Sequence, residues 1–137
     1  MLSRPTTEQM LRGIVADLNA TVAPALPDGP AKVAVAMMTQ LLLGCAVRAA
    51  HEIAWMHDEI AAIEAAVGAV PAAHGESLHL DDVVVRYHAA SSALADAVDA
   101  AYAAGDGPRV EVLRQLLEAR NAHEMEIMGV LELVGRG

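Results

Sequence analysis

The chain has 137 residues, a formal net charge of −9 and a pI near 4.9, and is 55% hydrophobic with no Phe, one Trp and two Tyr. An acidic chain without a basic patch lacks the electrostatic footprint of a nucleic-acid binder. The length suffices for one domain, 1–137, whose core has to be Ala, Leu, Val, Ile and Met.

Residues 6–23 read as a first helix. Thr6 with Gln9 fits a capping box, and Leu11, Ile14, Val15, Leu18 and Val22 form an apolar stripe. Pro24, Pro27, Asp28, Gly29 and Pro30 make a stiff turn. Residues 31–68 then predict one long central helix, from Pro30 to Gly68 with Pro71 beyond. At about 100° per residue, Met38, Leu42, Cys45, Ala49, Ile53, Met56, Ile60, Ile63 and Val67 share a face, and Leu43, Val47, Ala50 and Ala54 lie opposite. A helix apolar on two sides needs cover on both. One bundle neighbour does not supply it, so an oligomer is expected.

Residues 69–79 form the longest linker. Its polar group, His74, Glu76, Ser77, His79, Asp81 and Asp82, reads as a solvated loop and helix cap. A third helix follows to Ala104 with the stripe Leu80, Val84, Tyr87, Ser91, Leu94, Val98 and Ala101. Gly105-Asp106-Gly107-Pro108 breaks it, and a fourth helix covers about 109–134. Its arc holds Val112, Leu113, Leu116, Leu117, Ile127, Val130, Leu131 and Val134. Strand signals are nearly absent. The fold expected is all-α, an antiparallel four-helix bundle with up-down connections and one long central helix.

The N-terminal residues contain no apolar signal core, and the run Val33–Val47 stops at Arg48, short of the roughly 20 residues a bilayer requires. A cytoplasmic chain with no membrane segment is expected. The preference for Arg over Lys suits a high-GC bacterial source. Cys45, the single cysteine, sits in the apolar run and is expected to pack as a small hydrophobe.

Charged residues interrupt this pattern twice, in the same way. Arg48-x-x-His51-Glu52-x-x-x-Met56 is echoed by Arg120-x-x-His123-Glu124-x-x-x-Met128. Arg120, His123 and Glu124 fall inside the fourth helix's apolar arc. Glu52 falls inside the central arc, Arg48 and Trp55 at its edge, and His51 further round. A core-facing charge must be paired or reach water, so the echo predicts an internal polar cluster.

Three readings of the cluster stay open. Arg48 or Arg120 could pair with Glu124 or Glu52 and fix helix register. The cluster Arg48, His51, Glu52, Trp55, Arg120, His123 and Glu124 could line a ligand pocket in a homodimeric bundle, with Arg gripping a carboxylate or phosphate. His51, Glu52, His123 and Glu124 could bind a metal, although the Glu-x-x-His of di-iron bundles is missing. His57-Asp58-Glu59 reads as a solvated segment. No G-x-S-x-G and no Gly-rich phosphate loop occurs, so no catalytic residue, resident metal or cofactor is assigned and an enzyme is not indicated.

Three stretches carry a family resemblance. They are Arg4-Pro5-Thr6 through Leu11 with Val22-Ala-Pro24-Ala-Leu26; Ala49-Ala50-His51-Glu52-Ile53-Ala54-Trp55-Met56-His57-Asp58-Glu59-Ile60; and the later order of Leu94–Val98, a Gly-Asp break and Leu113–Arg120. Together they resemble the small helical accessory subunits encoded beside aminoglycoside-phosphotransferase-like (hydroxyacyl-CoA) kinases and acyl-CoA dehydrogenases. The resemblance implies a non-catalytic subunit that binds and supports a kinase acting on acyl-CoA substrates, with the ATP site on the partner. It brings no catalytic residue to this chain.

Overall fold

The computed structural model describes residues 4–70 and 77–129. Apart from turns and caps at 4–6, 26–29, 68–70, 77–79 and 105–106, these residues are helical, with no strand among them. Helix α1 is Thr7–Asp17, α2 is Pro30–Val67, α3 is Leu80–Ala104 and α4 is Gly107–Gly129. The chain is thus all-α, with four helices and one much longer than the rest.

The caps follow from local chemistry. The Thr6 hydroxyl accepts the Gln9 N–H at 3.2 Å, and the Gln9 side chain accepts the Thr6 N–H at 2.9 Å. This is the expected reciprocal box. After Asp17 the helix widens into a π turn at Leu18–Val22, then a last turn at Ala23–Ala25. Pro24 offers no N–H and its ring crowds the carbonyl one turn back; the ladder ahead of it slips to the wider spacing, with Ala23 N–H reaching Leu18 O. Gly68, at φ 97°, ends α2.

Gly105 takes the left-handed conformation at φ 66°. Its N–H bonds Tyr102 O, and the Asp106 N–H reaches back to Ala101 O at 3.0 Å. That pair of bonds is the Schellman ending, which glycine adopts without Cβ strain. The Asp106 carboxylate then accepts the Arg109 N–H at 3.1 Å and caps α4. So short a connection makes α3 and α4 an antiparallel hairpin.

The chain divides into two compact units, Met1–Glu52 with Glu124–Gly137, and Ile53–His123. Helix α2 runs through both. In the first unit Val15 of α1 is buried, together with Val35, Thr39, Ala46 and Val47 of α2. Thr39 is satisfied within its own helix, its hydroxyl donating to Val35 O at 2.8 Å. The opposite side of this half of α2 is apolar too, yet Met38, Leu41 and Cys45 are exposed. The expectation that Cys45 packs inside is corrected: the buried side here is that of Leu43 and Val47.

In the second unit α2 buries its other side. Ile60 and Ile63 pack with Ala90, Leu94 and Ala101 of α3 and Leu113 of α4. Ile63, Leu94 and Leu113 are essentially sealed from solvent, each contributing about 1.5–3 kcal/mol of hydrophobic stabilisation. Val83 and Ala90 are buried, while Leu80 is exposed, so the α3 stripe is rotated slightly from the expected one. In α4, Leu113 is buried but Val112 and Leu117 are exposed. Val130, Leu131 and Val134, assigned to the fourth helix from the sequence, lie outside the described residues, as do His74 and Glu76.

Two cross-helix pairings order the second unit. Trp55 meets His123, and Glu59 meets Arg120. Position rises along α2 as it falls along α4, so these helices run antiparallel where they touch. An up-down order would make them parallel. Helix α4 is therefore antiparallel to both of its neighbours here, so α2 and α3 run parallel to one another in this unit.

Candidate functional site

Three helices bring their polar side chains together in the second unit. Helix α2 supplies Trp55 and Glu59 one turn apart, α3 supplies Tyr87 and Ser91 one turn apart, and α4 supplies Arg120 and His123 at three-residue spacing. Each pair is continued by an apolar position, Ile63, Leu94 and Leu116, so the polar layer sits on the packed core.

Glu59 is the centre of the layer. Its Oε1 accepts the Arg120 Nε–H at 2.5 Å and its Oε2 accepts the Tyr87 hydroxyl at 3.1 Å. Arg120 Nη2 donates to Ser91 Oγ at 2.9 Å. The guanidinium carbon lies 5.3 Å from the centre of the Tyr87 ring, within cation–π range. The Glu59 side chain is 11% exposed and that of Arg120 27%. Beside them Trp55 and His123 stack, with centroids 4.8 Å apart and planes 9° from parallel.

Of the residues expected at the site, the structure brings together Trp55, Arg120 and His123. Arg120 takes Glu59 as its ion-pair partner, not Glu52 or Glu124, which corrects the pairing expected from the sequence echo. Glu59, read as solvated, is the most enclosed carboxylate of that layer, a second correction. Arg48, His51, Glu52 and Glu124 belong to the first unit; Arg48, His51 and Glu124 are exposed and Glu52 is half-buried. Glu124 had been placed inside the apolar arc. It is exposed, although at four residues from Arg120 it shares that side of α4.

The chemistry of the layer is that of a clamp. Both Glu59 oxygens are engaged and Ser91 accepts from a cation, so neither is held as a base or nucleophile toward an open site. Sequence reasoning missed Glu59, Tyr87 and Ser91, although the signals were present. Glu59 lies seven residues beyond Glu52 and so on the same face. Tyr87 and Ser91 sit in the apolar stripe of α3, where a hydroxyl needs a partner. Among the described residues, no group of three or more His, Cys, Asp or Glu is placed to hold a metal ion.

The other charged groups of α4 are solvated. Arg114 pairs with Glu111 at 2.7 Å and with Glu118 on the surface. The Arg114 hydrogen bond holds the Glu111 carboxyl below its ordinary value, and the same contact raises Arg114. Near the hairpin end, Val98 and Tyr102 of α3 and Val110, Leu113 and Leu117 of α4, with Arg114, line a shallow apolar cleft of about 60 Å³. The Tyr102 side of the cleft is open, this residue being 68% exposed.

By length and composition alone, α2 is apolar enough to cross a membrane, its best window having a mean hydropathy of 1.7. Core helices of soluble proteins pass the same test. In comparisons with protein-family models, curated proteins and solved structures, nothing matches this chain.

Proposed function

We propose that this chain is a non-catalytic helical subunit of the cytoplasm that binds and supports another protein, a phosphotransferase-type kinase acting on acyl-CoA substrates. The observation that carries the reading is the open apolar cleft between α3 and α4. Tyr102, Val112 and Leu117 are large apolar side chains left in water at the end of a helical hairpin. Aromatic and aliphatic anchors of this kind dominate binding energy at protein interfaces. The engaged polar layer supports the same reading, because its carboxylate and guanidinium are spent on holding three helices together. The kinase as partner rests on the sequence resemblance. The proposal includes closure of the four helices as an antiparallel bundle, to which the α3–α4 hairpin contributes one antiparallel pair.

The test is co-expression with an aminoglycoside-phosphotransferase-like (hydroxyacyl-CoA) kinase. The expected result is co-purification, with kinase activity that depends on the small chain and is lost with Tyr102→Glu. If the two do not co-purify and kinase activity is the same with and without this chain, the proposal is wrong.

A further inference from the structure

The first half of α2 has a second apolar side, and its pattern is self-complementary. Val33, Met37 and Leu41 are 51%, 54% and 60% exposed, and Met38 is 48% exposed. No charge occurs from Val33 to Val47, a stretch closed by Lys32 and Arg48 in a chain of net charge −9. Two copies of so acidic a chain repel one another over most of their surface, and this stretch is where that repulsion is weakest.

Ala34, Met38, Leu41, Cys45 and Arg48 follow each other in steps of four, three, four and three. That is the heptad seam of a helix pair. The same line continues through Glu52 to Trp55 and Glu59, where α3 and α4 cover it in the second unit. Along the first half, Ala34 to Arg48 are all exposed along this line.

We infer that the exposed seam of α2 pairs with the same seam of a second copy, antiparallel, across a two-fold axis at Leu41. In that register Leu41 meets Leu41 of the other copy, Met38 meets Cys45, and Ala34 meets Arg48. Each remaining layer sets a long side chain against a short one, the packing that fills the space between facing helices without voids, and an isologous contact requires this self-match. The area is adequate. Four large side chains about half exposed, with Ala34 and Cys45, offer on the order of 400 Å² of apolar surface per copy, and interfaces are about 60% apolar. That corresponds to about 700 Å² in all, close to the roughly 800 Å² per partner of a standard interface. This pairing does not rest on the kinase proposal, which concerns the far end of the α3–α4 hairpin.

The experiment uses the purified chain alone. Sedimentation equilibrium gives a dimer, and Leu41→Glu gives a monomer with unchanged helical circular dichroism, since Leu41 is exposed within its own chain. In a Cys45→Ser background, Leu41→Cys forms a disulfide-linked dimer under mild oxidation, because residue 41 lies on the axis. This readout stands even if the glutamate variant fails to fold. A monomeric wild-type chain overturns the inference. So does a dimer untouched by Leu41→Glu, or a monomer that binds phosphatidylcholine vesicles through this stretch. Loss of kinase capture by Tyr102→Glu with the dimer intact separates this result from that of the preceding proposal.

Discussion

The Arg120 guanidinium lies 2.5 Å from the Glu59 carboxylate, joining residues 61 apart in sequence. Removing one partner leaves the other enclosed without its counter-charge. Arg120→Ala is expected to lower unfolding stability by about 2 kcal/mol, below the 3–5 kcal/mol of fully buried pairs because Arg120 keeps some solvent. Urea titration measures it. The double variant Glu59→Leu with Arg120→Met should recover most of the loss, since an apolar pair of similar volume replaces a buried ion pair at little cost. Additive losses in the double variant would refute the pairing.

Tyr87→Phe isolates one bond of the same layer. The ring and its contact with Arg120 are kept, and the hydroxyl bond to Glu59 is lost. The expected cost is about 1 kcal/mol by the same titration. A variant as stable as wild type would mean that the hydroxyl does not hold the carboxylate in solution.

Trp55 is the only tryptophan, so intrinsic fluorescence reports its stack on His123. His123→Ala is expected to change the emission intensity and maximum in the folded chain. His57→Ala, an exposed position on the same helix, serves as the control and leaves the spectrum as it was. Equal spectra for wild type and His123→Ala would show that the rings do not stack.

Gly105→Ala places a Cβ on a residue at φ 66°. The left-handed conformation costs a non-glycine residue about 1 kcal/mol. The loss should appear in the urea midpoint with the slope unchanged, because the hairpin is retained.

Glu111→Gln is the counter-example. The Glu111 carboxyl is held below its ordinary value chiefly by the Arg114 hydrogen bond, so its stabilising effect is present above the unfolded pKa and fades as pH falls through the lowered one. The group is fully exposed, and water and salt screen the pair. Acid-unfolding curves of wild type and Glu111→Gln should superimpose. A clear shift between them would contradict this account of a solvated pair.

The helices were legible in the sequence because their ends carry local chemistry. Thr6 with Gln9 marks the start of α1, and Gly68 and Gly105 mark two stops. Apolar periodicity also located Ile60, Ile63 and Leu94. The echo of Arg48-His51-Glu52 in Arg120-His123-Glu124 misled, since identical spacing says nothing about which neighbour covers each copy. Arg120 and His123 meet α2, whereas Arg48 and His51 remain exposed. The partner of Arg120 was readable only in part. Glu59 shares a face with Glu52, but its neighbours His57 and Asp58 gave the segment a solvated appearance. Choosing between them required knowing that α4 runs against α2, and that direction is set by tertiary packing.

Because α2 presents Glu59 to Arg120 and, one turn on, Ile63 to Leu94 and Leu113, the number of residues between Glu59 and Ile63 sets whether the two can be received together. One alanine inserted between them would turn the pair apart by about 100°, so that the carboxylate and the isoleucine would no longer reach their partners at once. This turn of α2 is thus constrained in length far more than in composition.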